Sequence, residues 1–470
     1  MKKKLMSGVA CAMMALTALT LRAQTNISYY CGDNTFYQVF TSGGATISHG
    51  IDDSEAPTVR MRDWILGDVE VPVEKIDSCI VRHIEIPVVR LTLPDYPEAD
   101  MPWSKEEYAD AILSIDGNGL TEDAEGLEVK VRGRGNTSWS MPKKPMRLKF
   151  SKKTSIYGFP AMKNYVLLAN YIDPSLMRNA VAMWLAKRLD VPFANTMRPC
   201  HVFINDHYAG AYTMTEKVGI NSTSVDIDEE TGILFELSTE FDEPYKFESA
   251  MGALPVMVKD PDFDELYEDN PDSLTPQQRL AKWEADFNRA EAMAMAGDGA
   301  KAFDIESAVN YLLLYDIVRN TENRHPKSLY IHKCSLRAPD KYCFGPAWDF
   351  DYAFNKSTQS LEGGHIPDAP EWGMVKVPLI EAIMATPEFR TRYNERLAYF
   401  RDEVLPDLLD FIDEYSSMIG PSAELNGRRW PEKRPWSTWG YILPSTGHAR
   451  HAAELREWLI NRAAYLTRNL

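Results

Sequence analysis

The order in which strand and helix patterns follow one another constrains the fold of this chain more than any other feature. Short segments of strand composition, separated by turn residues, fill the first half, whereas helical patterns dominate the second half. A doubly wound α/β fold would instead alternate strands and helices along its whole length. The sequence therefore predicts an α+β fold.

Three segments are predicted along the 470 residues. Residues 1–23 combine a positive start (Lys2 to Lys4), an apolar run and a small-residue cleavage site, which is typical of a signal peptide. Residues 24–86 are predicted to form a small β-rich N-terminal module, with an adaptor or anchoring role rather than chemistry. Residues 87–470 form the larger domain. We expect the mature chain to be exported to the periplasm, the cell surface or the medium.

The charge balance bounds the classes of partner. The chain has 68 acidic and 51 basic residues and a formal net charge of −17, which disfavours nonspecific nucleic-acid binding. No apolar run after the signal peptide is long enough to span a bilayer. Five cysteines follow the signal peptide, and bridges are conceivable for Cys31 with Cys79 and for Cys334 with Cys343. An odd number leaves at least one thiol unpaired.

One stretch reverses the sign of the charge. From 129 to 172 there is no Asp or Glu, but there are ten Lys and Arg residues. The stretch holds a glycine-rich turn within Arg132–Trp139, followed by a predicted strand over Lys143–Phe150 with an inward lysine. Backbone N–H groups at glycines, together with an ammonium group, suit a nucleotide phosphate tail. The alternative is a solvated basic face.

The segment Trp348-Asp349-Phe350-Asp351 is the second candidate site. If this segment is a strand, Asp349 and Asp351 point to the same face. Two close carboxylates repel each other, and Mg²⁺ or Mn²⁺ that also binds phosphate oxygens would stabilise them. The alternative is a pair of hydrogen-bonded turn aspartates.

Two polar segments complete the candidates. The loop from Asn320 to Ser328 lies between an apolar helix and a strand, where catalytic groups are often held. In that loop Glu322 is a candidate general base, and Asn320 and Asn323 are candidate metal ligands or orienting groups; the alternative is a simple helix end. In the segment 170–179, Asp173 and Arg178 are expected to form a structural ion pair rather than to act directly.

These motifs, in this order, resemble the CotH family of secreted and spore-coat proteins (spore coat protein H-like). The matching segments are VKVRGRGNTSWSMPKKPMRLKF, YVLLANYIDPSLMRNAVAMWLAKRL, VFINDHYAGAYTMTEKV, NTENRHPKSLYIHK and GPAWDFDYAF. The N-terminal module also resembles leaders of exported proteins of gut Bacteroidetes. The resemblance implies a distant protein-kinase-like fold for residues 87–470.

It also implies Mg²⁺- or Mn²⁺-dependent transfer of phosphate from ATP to Ser or Thr of a protein partner. Carried across, the glycine-rich turn and basic strand would bind ATP through Arg132, Gly133, Arg134, Gly135, Asn136, Lys144, Arg147 and Lys149. Asp349 and Asp351 would hold the metal, and Glu322 would orient the acceptor hydroxyl. The family has Asp where this chain has Glu322, and a base displaced by ~1 Å can cost about a hundredfold in rate.

Two other functions remain open from the sequence. A catalytically inactive scaffold in envelope assembly or surface attachment would keep the fold without phosphotransfer. A nucleotide-sugar glycosyltransferase would also use two carboxylates spaced as Asp349 and Asp351 are. The acceptor and the oligomeric state are not specified by any motif.

Overall fold

The structure is a computed structural model that describes residues 25–31, 36–41, 48–50, 58–63, 67–83, 86–102, 104–320, 326–354, 377–431, 435–436, 440–441 and 447–469. The predicted signal peptide lies outside these residues. In the part of the chain so described, no helix combines the length and the apolar character needed to cross a membrane.

An antiparallel sheet occupies the N-terminal module. Its strands follow the order β3-β4-β2-β1-β6, and β5 pairs with β4. The strands are β1 (Thr25–Cys31), β2 (Phe36–Thr41), β3 (Ser48–Gly50), β4 (Thr58–Asp63), β5 (Gly67–Pro72) and β6 (Ile76–His83). A 3₁₀ turn, Val73–Lys75, joins the last two strands. The segment predicted to be rich in strands therefore contains one antiparallel sheet among its described residues.

A closed barrel follows, in the order β10-β11-β13-β12-β7-β8-β9. Its strands are β7 (Val88–Thr92), β8 (Ala109–Asp116), β9 (Ala124–Gly133), β10 (Met146–Thr154), β11 (Met162–Leu168), β12 (Arg198–Ile204) and β13 (His207–Glu216). Side chains alternate along β10, so that Met146, Leu148 and Phe150 fill the interior. Closure leaves the barrel without an unpaired edge.

The turn between β12 and β13 forms as predicted. Asn205 and Asp206 both have positive φ, 46° and 65°, which is the conformation of a type I′ hairpin turn. The sequence PWSKEEYADAILSID predicts a short helix followed by a strand, but among the described residues only the strand β8 forms, and 105–107 are bends. The helix prediction is wrong, because the run of charged residues at 105–107 lacks an apolar face that could pack.

A second antiparallel sheet has the order β15-β16-β14-β17-β18. The strands are β14 (Ile233–Leu237), β15 (Lys246–Glu248), β16 (Pro255–Asp260), β17 (Leu329–Lys333) and β18 (Cys343–Phe344). A small ladder joins β19 (Pro435–Trp436) and β20 (Gly440–Tyr441). The sheet β14–β18 packs against helices in the largest apolar core.

The helices lie mainly in the second half, as predicted. They are α1 (Thr137–Ser140), α2 (Arg178–Arg188), α3 (Phe263–Asp269), α4 (Pro276–Met295), α5 (Gly299–Ala302), α6 (Ile305–Val318), α7 (Pro378–Met384), α8 (Pro387–Tyr399), α9 (Leu405–Arg429) and α10 (His448–Asn469). A π-helical turn, Phe400–Val404, links α8 to α9. Helix α6 is buried almost all round and forms the centre of the core. Mixed helix and strand content confirms the α+β class.

Local details differ from the sequence predictions at two helix starts. Helix α2 begins at Arg178 rather than after Ser175, and the Asp173 carboxylate accepts the Arg178 N–H at 2.9 Å. The acidic segment expected to be a simple connection contains α3, which Asp262 caps.

No bridge forms at the described sulfur atoms. Cys31, Cys334 and Cys343 are free thiols, as is Cys200, and the side chain of Cys79 lies outside the described residues. The pairing considered for Cys334 with Cys343 is therefore absent here, and so is any bridge to Cys31.

Candidate functional site

A cavity of about 500 Å³ opens between the end of the barrel and the sheet β14–β18. Three groups of residues line it: the glycine-rich turn after β9, the loop after β18, and charged side chains of the second sheet. Those that carry the argument are Arg132, Gly133, Arg134, Gly135, Asn136, Asn179, Glu236, Glu240, Asp242, Glu243, Lys259, Lys327, Tyr330, Asp349 and Asp351.

The glycine-rich turn is shaped by two different constraints. A Cβ at Gly133 would lie 2.0 Å from the Trp139 ring, so close packing requires glycine there. Gly135 has φ +86°, which favours glycine for its backbone. The N–H groups of Gly133 and Arg134 donate to the carbonyls of Ser104 and Pro145.

Two other N–H groups of this turn remain available. Among the described residues no acceptor is found for the N–H groups of Gly135 and Asn136. These two residues, and not the whole turn, can therefore supply backbone donors to an anion.

Four cations converge beside this turn. Arg132 donates to the Lys105 carbonyl at 2.8 Å, and the Arg134 guanidinium lies 5.7 Å from the centre of the Trp348 ring. Burial lowers the pKa of Arg147, and the charges of Arg132 and Arg134 lower it further. Burial and the charge of Arg147 also lower the pKa of Lys217, to about 8. The cluster would gain stability from a bound anion.

Three of the predicted ATP-binding side chains do not line the cavity. Lys144 donates to the Trp139 carbonyl at 2.6 Å, Arg147 donates to Asn164 at 2.9 Å, and Lys149 points outward into solvent. The inward lysine expected on the basic strand is instead Lys143, which precedes β10 and is fully buried. Its ammonium donates to Asn426 of α9 at 2.8 Å, so it joins barrel and helices.

The segment that carries Asp349 and Asp351 is a loop and not a strand. Only Cys343–Phe344 forms the predicted strand, and Asp349 has φ +64°, in the left-handed region. The argument from strand alternation was therefore wrong. Both carboxylates nevertheless line the same cavity, because other contacts fix the loop.

Helix α2 holds this loop in place. Asn179 accepts the Phe350 N–H at 3.0 Å and donates to the Asp351 carboxylate at 2.6 Å. Arg178 donates to the Asp351 carbonyl at 3.1 Å and pairs with Asp173 at 3.5 Å. The predicted ion pair of Asp173 and Arg178 is thus present, and it supports the loop.

The role of Asn179 was missed from the sequence. An asparagine at a buried position of an apolar helix, only 5% exposed, is the signal that could have revealed it.

The predicted catalytic loop is described only at its ends. Asn320 is buried and donates to the Asp349 carbonyl at 2.7 Å, which suits an orienting group. Glu322 and Asn323 lie outside the described residues.

The donor set fits a hard divalent cation. Asp349 and Asp351 supply carboxylate oxygens, and Mg²⁺ is commonly held by one or two carboxylates with substrate phosphates and water. Within the described residues no cluster of three His, Cys, Asp or Glu offers a cage made by protein alone.

Four acidic side chains also line the cavity, and we name them the acidic wall: Glu236, Glu240, Asp242 and Glu243. Lys259 contacts Glu236 at 2.9 Å and Glu243 at 2.8 Å, while Lys327 contacts Glu240 at 2.8 Å. Burial lowers the pKa of Lys259, but the two carboxylates outweigh it and the net shift is upward.

The acidic wall was not predicted from the sequence. The sequence feature that points to it is Glu236, a carboxylate in the middle of the apolar strand ILFEL, where burial requires a partner.

Comparison with protein families gives a match over most of the chain. The family described as CotH kinase protein matches residues 131–466, more than two thirds of the chain, including every described residue of the cavity from Arg132 onward. No curated protein matches the chain.

Proposed function

The chain belongs to the CotH family, described as CotH kinase protein, and from this premise we propose that it transfers phosphate from ATP to a Ser or Thr hydroxyl of an exported protein. The observation that supports this proposal is the division of charge within one cavity. The cations of the glycine-rich turn, Arg132 and Arg134, and the carboxylates of Asp349 and Asp351 line the same cavity. A metal-bound triphosphate matches both groups.

Each part of the site has a role in this proposal. Arg132, Arg134 and the free N–H groups of Gly135 and Asn136 bind the phosphate oxygens. Asp349 and Asp351 would hold Mg²⁺ or Mn²⁺, which neutralises phosphate charge when bound. Asn179 orients the Asp351 carboxylate, and Asn320 holds the backbone at Asp349.

The acceptor side follows from the family resemblance. By that resemblance, Glu322 would accept the proton of the acceptor hydroxyl while the hydroxyl oxygen attacks the terminal phosphorus of ATP. The bond from this phosphorus to the leaving oxygen of ADP breaks at the same time. Positioning and charge neutralisation supply most of the rate enhancement in such reactions.

Thermal unfolding of residues 24–470 tests the nucleotide site. The protein is compared without ligand and with Mg²⁺, ATP, Mg·ATP or a Mg·UDP-sugar. Ligand at about 100 times its dissociation constant adds about 2.7 kcal/mol to the folded state, a rise of a few degrees for a chain of this size. We expect this rise only when metal and ATP are both present.

Asp349→Asn should abolish the metal-dependent part of the rise, whereas the exposed Asp272→Asn serves as a matched control and should keep it. If Asp349→Asn binds Mg·ATP like the wild type, the assignment of the metal site is wrong. A rise with the UDP-sugar alone would favour glycosyl transfer, and no rise with any nucleotide would favour a scaffold.

A further inference from the structure

The outer surface of the barrel beside the cavity has a strip of lysines. Lys130 on β9 and Lys149 on β10 lie directly opposite each other, and both point outward. Lys153 lies further along β10, and the neighbouring Lys152 and Lys163 are also exposed, at the end of the barrel where the register between β10 and β11 shifts. We name these five residues the barrel lysine face.

Its charges are almost uncompensated. Among the described residues only Lys130 has a carboxylate partner, Asp110 at 3.8 Å, and both side chains are largely exposed. No ion pair involves the other four lysines of the face, and Glu128 is the remaining acid on the outward side of β9. Directly opposed like charges on neighbouring strands destabilise a sheet. The arrangement costs stability in a chain whose net charge is −17, so an anionic partner would relieve it.

The barrel lysine face is continuous with the proposed phosphate site. Arg132 and Arg147 form the next cross-strand pair after Lys130 and Lys149, and Arg132 lines the cavity. Outward residues two apart on a strand are separated by about 6.8 Å. The two rows of positive charge thus lead from the exposed lysines to the cavity. Their spacing equals the distance between alternate side chains of an extended peptide.

The surroundings limit what the partner can be. The barrel is closed, so a bound segment finds no free strand edge and must be recognised through its side chains. The acidic wall contributes four carboxylates to the cavity lining, Glu236, Glu240, Asp242 and Glu243, against two lysines that pair with three of them, Lys259 and Lys327. Asp242 has no partner among the described residues, so the wall carries a net negative charge. A uniformly charged polyanion such as a nucleic acid would be repelled there. A chain that carries acidic groups only on one side of its reacting residue would avoid this repulsion.

We propose that the barrel lysine face docks an extended, acidic segment of the protein acceptor, on one side of the hydroxyl residue that enters the cavity. The proposal rests on the proposed function for the protein nature of the acceptor. Asp or Glu at alternate positions would match the lysine rows, and the residues on the other side of the hydroxyl would be neutral or basic.

The test measures binding of labelled peptides by fluorescence anisotropy, without nucleotide, at low and moderate salt. One peptide has alternating Glu on one side of a central Ser, a second has Gln in place of Glu, and a third has Glu on both sides. The double variant Lys153→Glu with Lys163→Glu is compared with Lys282→Glu with Lys341→Glu, exposed lysines elsewhere that give the same net charge.

We expect the one-sided acidic peptide to bind best, and its affinity to fall as salt rises. The Lys153/Lys163 variant should lose about tenfold, since two attractions become repulsions, and the control variant should change far less. Equal losses in both variants, or equal binding of the Gln peptide, would overturn the proposal. Tighter binding to a single-stranded oligonucleotide or to vesicles of phosphatidylglycerol and phosphatidylcholine would overturn it in favour of those partners.

The outcome is separable from that of the nucleotide test. The Lys153/Lys163 variant should keep the Mg·ATP rise in unfolding temperature, because neither residue lines the cavity. If the wild type shows that rise but no peptide preference, only the docking proposal fails. If the peptide preference is present and Mg·ATP does not raise the unfolding temperature, the proposed function fails and the docking proposal for the barrel lysine face stands.

Discussion

Lys217, just after β13, lies near two cations, Arg147 and Lys259, and two carboxylates, Asp260 and Glu243. Burial and Arg147 lower its pKa to about 8, while Asp260 opposes the shift. It is not part of the cavity lining, yet it shares the electrostatic environment of Arg132 and Arg134 through Arg147. It therefore reports on anions that bind beside the glycine-rich turn.

We predict that acetylation of Lys217, followed by mass spectrometry, has a pH midpoint near 8 and that saturating pyrophosphate raises the midpoint. Exposed Lys282, on α4, provides the internal reference for reagent and pH. A midpoint for Lys217 that pyrophosphate leaves unchanged would show that no anion binds close to this cluster.

The same residue gives a stability prediction with a defined sign. The folded pKa of Lys217 lies below its ordinary value of 10.5, so the unfolded chain holds more protons between about pH 8 and 10.5. Protonated Lys217 destabilises the folded state by its full amount below pH 8, and this destabilisation disappears as pH rises from about 8 to 10.5. Lys217→Met should therefore be more stable than the wild type at pH 7, and denaturant unfolding should show the difference shrinking by pH 10.

At the scale of elements, the loop with Asp349 and Asp351 depends on α2 for its shape. Asn179 makes two hydrogen bonds to this loop, one of them to the Asp351 carboxylate. Partners that orient metal ligands typically contribute 10–100-fold to metal affinity. We predict that Asn179→Ala weakens the Mg²⁺-dependent binding of ATP about tenfold or more, measured by titration calorimetry.

Asn195→Ala is a matched control for that loss. Asn195 is equally buried and donates to Thr215 and to the Glu216 carbonyl, but it does not line the cavity. Both variants should lower the unfolding temperature of the free protein, and only Asn179→Ala should weaken Mg·ATP. Equal ATP affinity in the two variants would mean that the loop keeps its shape without Asn179.

Elements with a local pattern were predictable from the sequence. The β12–β13 hairpin follows from Asn205-Asp206 between apolar runs, and α10 follows from its amphipathic repeat. The strand predicted at Asp349 failed because its backbone is set by Asn179 and Asn320, which are distant in sequence. The strand propensity of a short segment does not depend on such long-range contacts, so it could not predict this loop.

The candidate site was predictable in part for the same reason. The charge reversal and the two aspartates each contribute residues to the lining of one cavity, and each is visible in the sequence as a short motif. The acidic wall was not found, since Glu236 and Lys259 meet only when β14 pairs with β16. Nor did any pattern indicate that β12 would pair in parallel with β7 and close the barrel.

At the scale of the whole molecule, barrel and helices are joined through buried polar groups on α9. Asn426 accepts hydrogen bonds from the Lys143 ammonium at 2.8 Å and from the Ala211 N–H at 3.1 Å. Nearby, the His201 ring contacts Ser422 of α9 and Tyr208 of the barrel, each at 2.9 Å. Burial lowers the pKa of His201 to about 3, so the ring is neutral at pH 7 and the junction holds one cation, Lys143, among these groups.

Asn426→Ala should be one of the most destabilising single changes in this chain. It removes the acceptor that the Ala211 N–H and the Lys143 ammonium share, although the ammonium keeps the Ala211 carbonyl as an acceptor. A buried donor that loses its acceptor costs about 1–3 kcal/mol, and a lost hydrogen bond to a charged group costs a similar amount. We predict a loss of about 3 kcal/mol in denaturant unfolding at pH 7. Asn394→Ala, at an exposed position of α8, should change stability by less than about 0.5 kcal/mol.

Combining Asn426→Ala with Lys143→Met separates two contributions to the loss of stability, the buried charge of Lys143 and the lost packing of Asn426. If the lost hydrogen bond to the Lys143 ammonium causes most of the destabilisation, the double variant should recover stability relative to Asn426→Ala alone, because methionine needs no acceptor. Additive losses would instead show that the side chains act through packing at the junction. Neither residue lines the cavity, so the rise in unfolding temperature with Mg·ATP should persist in every folded variant. Loss of that rise would show that the joint between barrel and helices also sets the geometry of the nucleotide site.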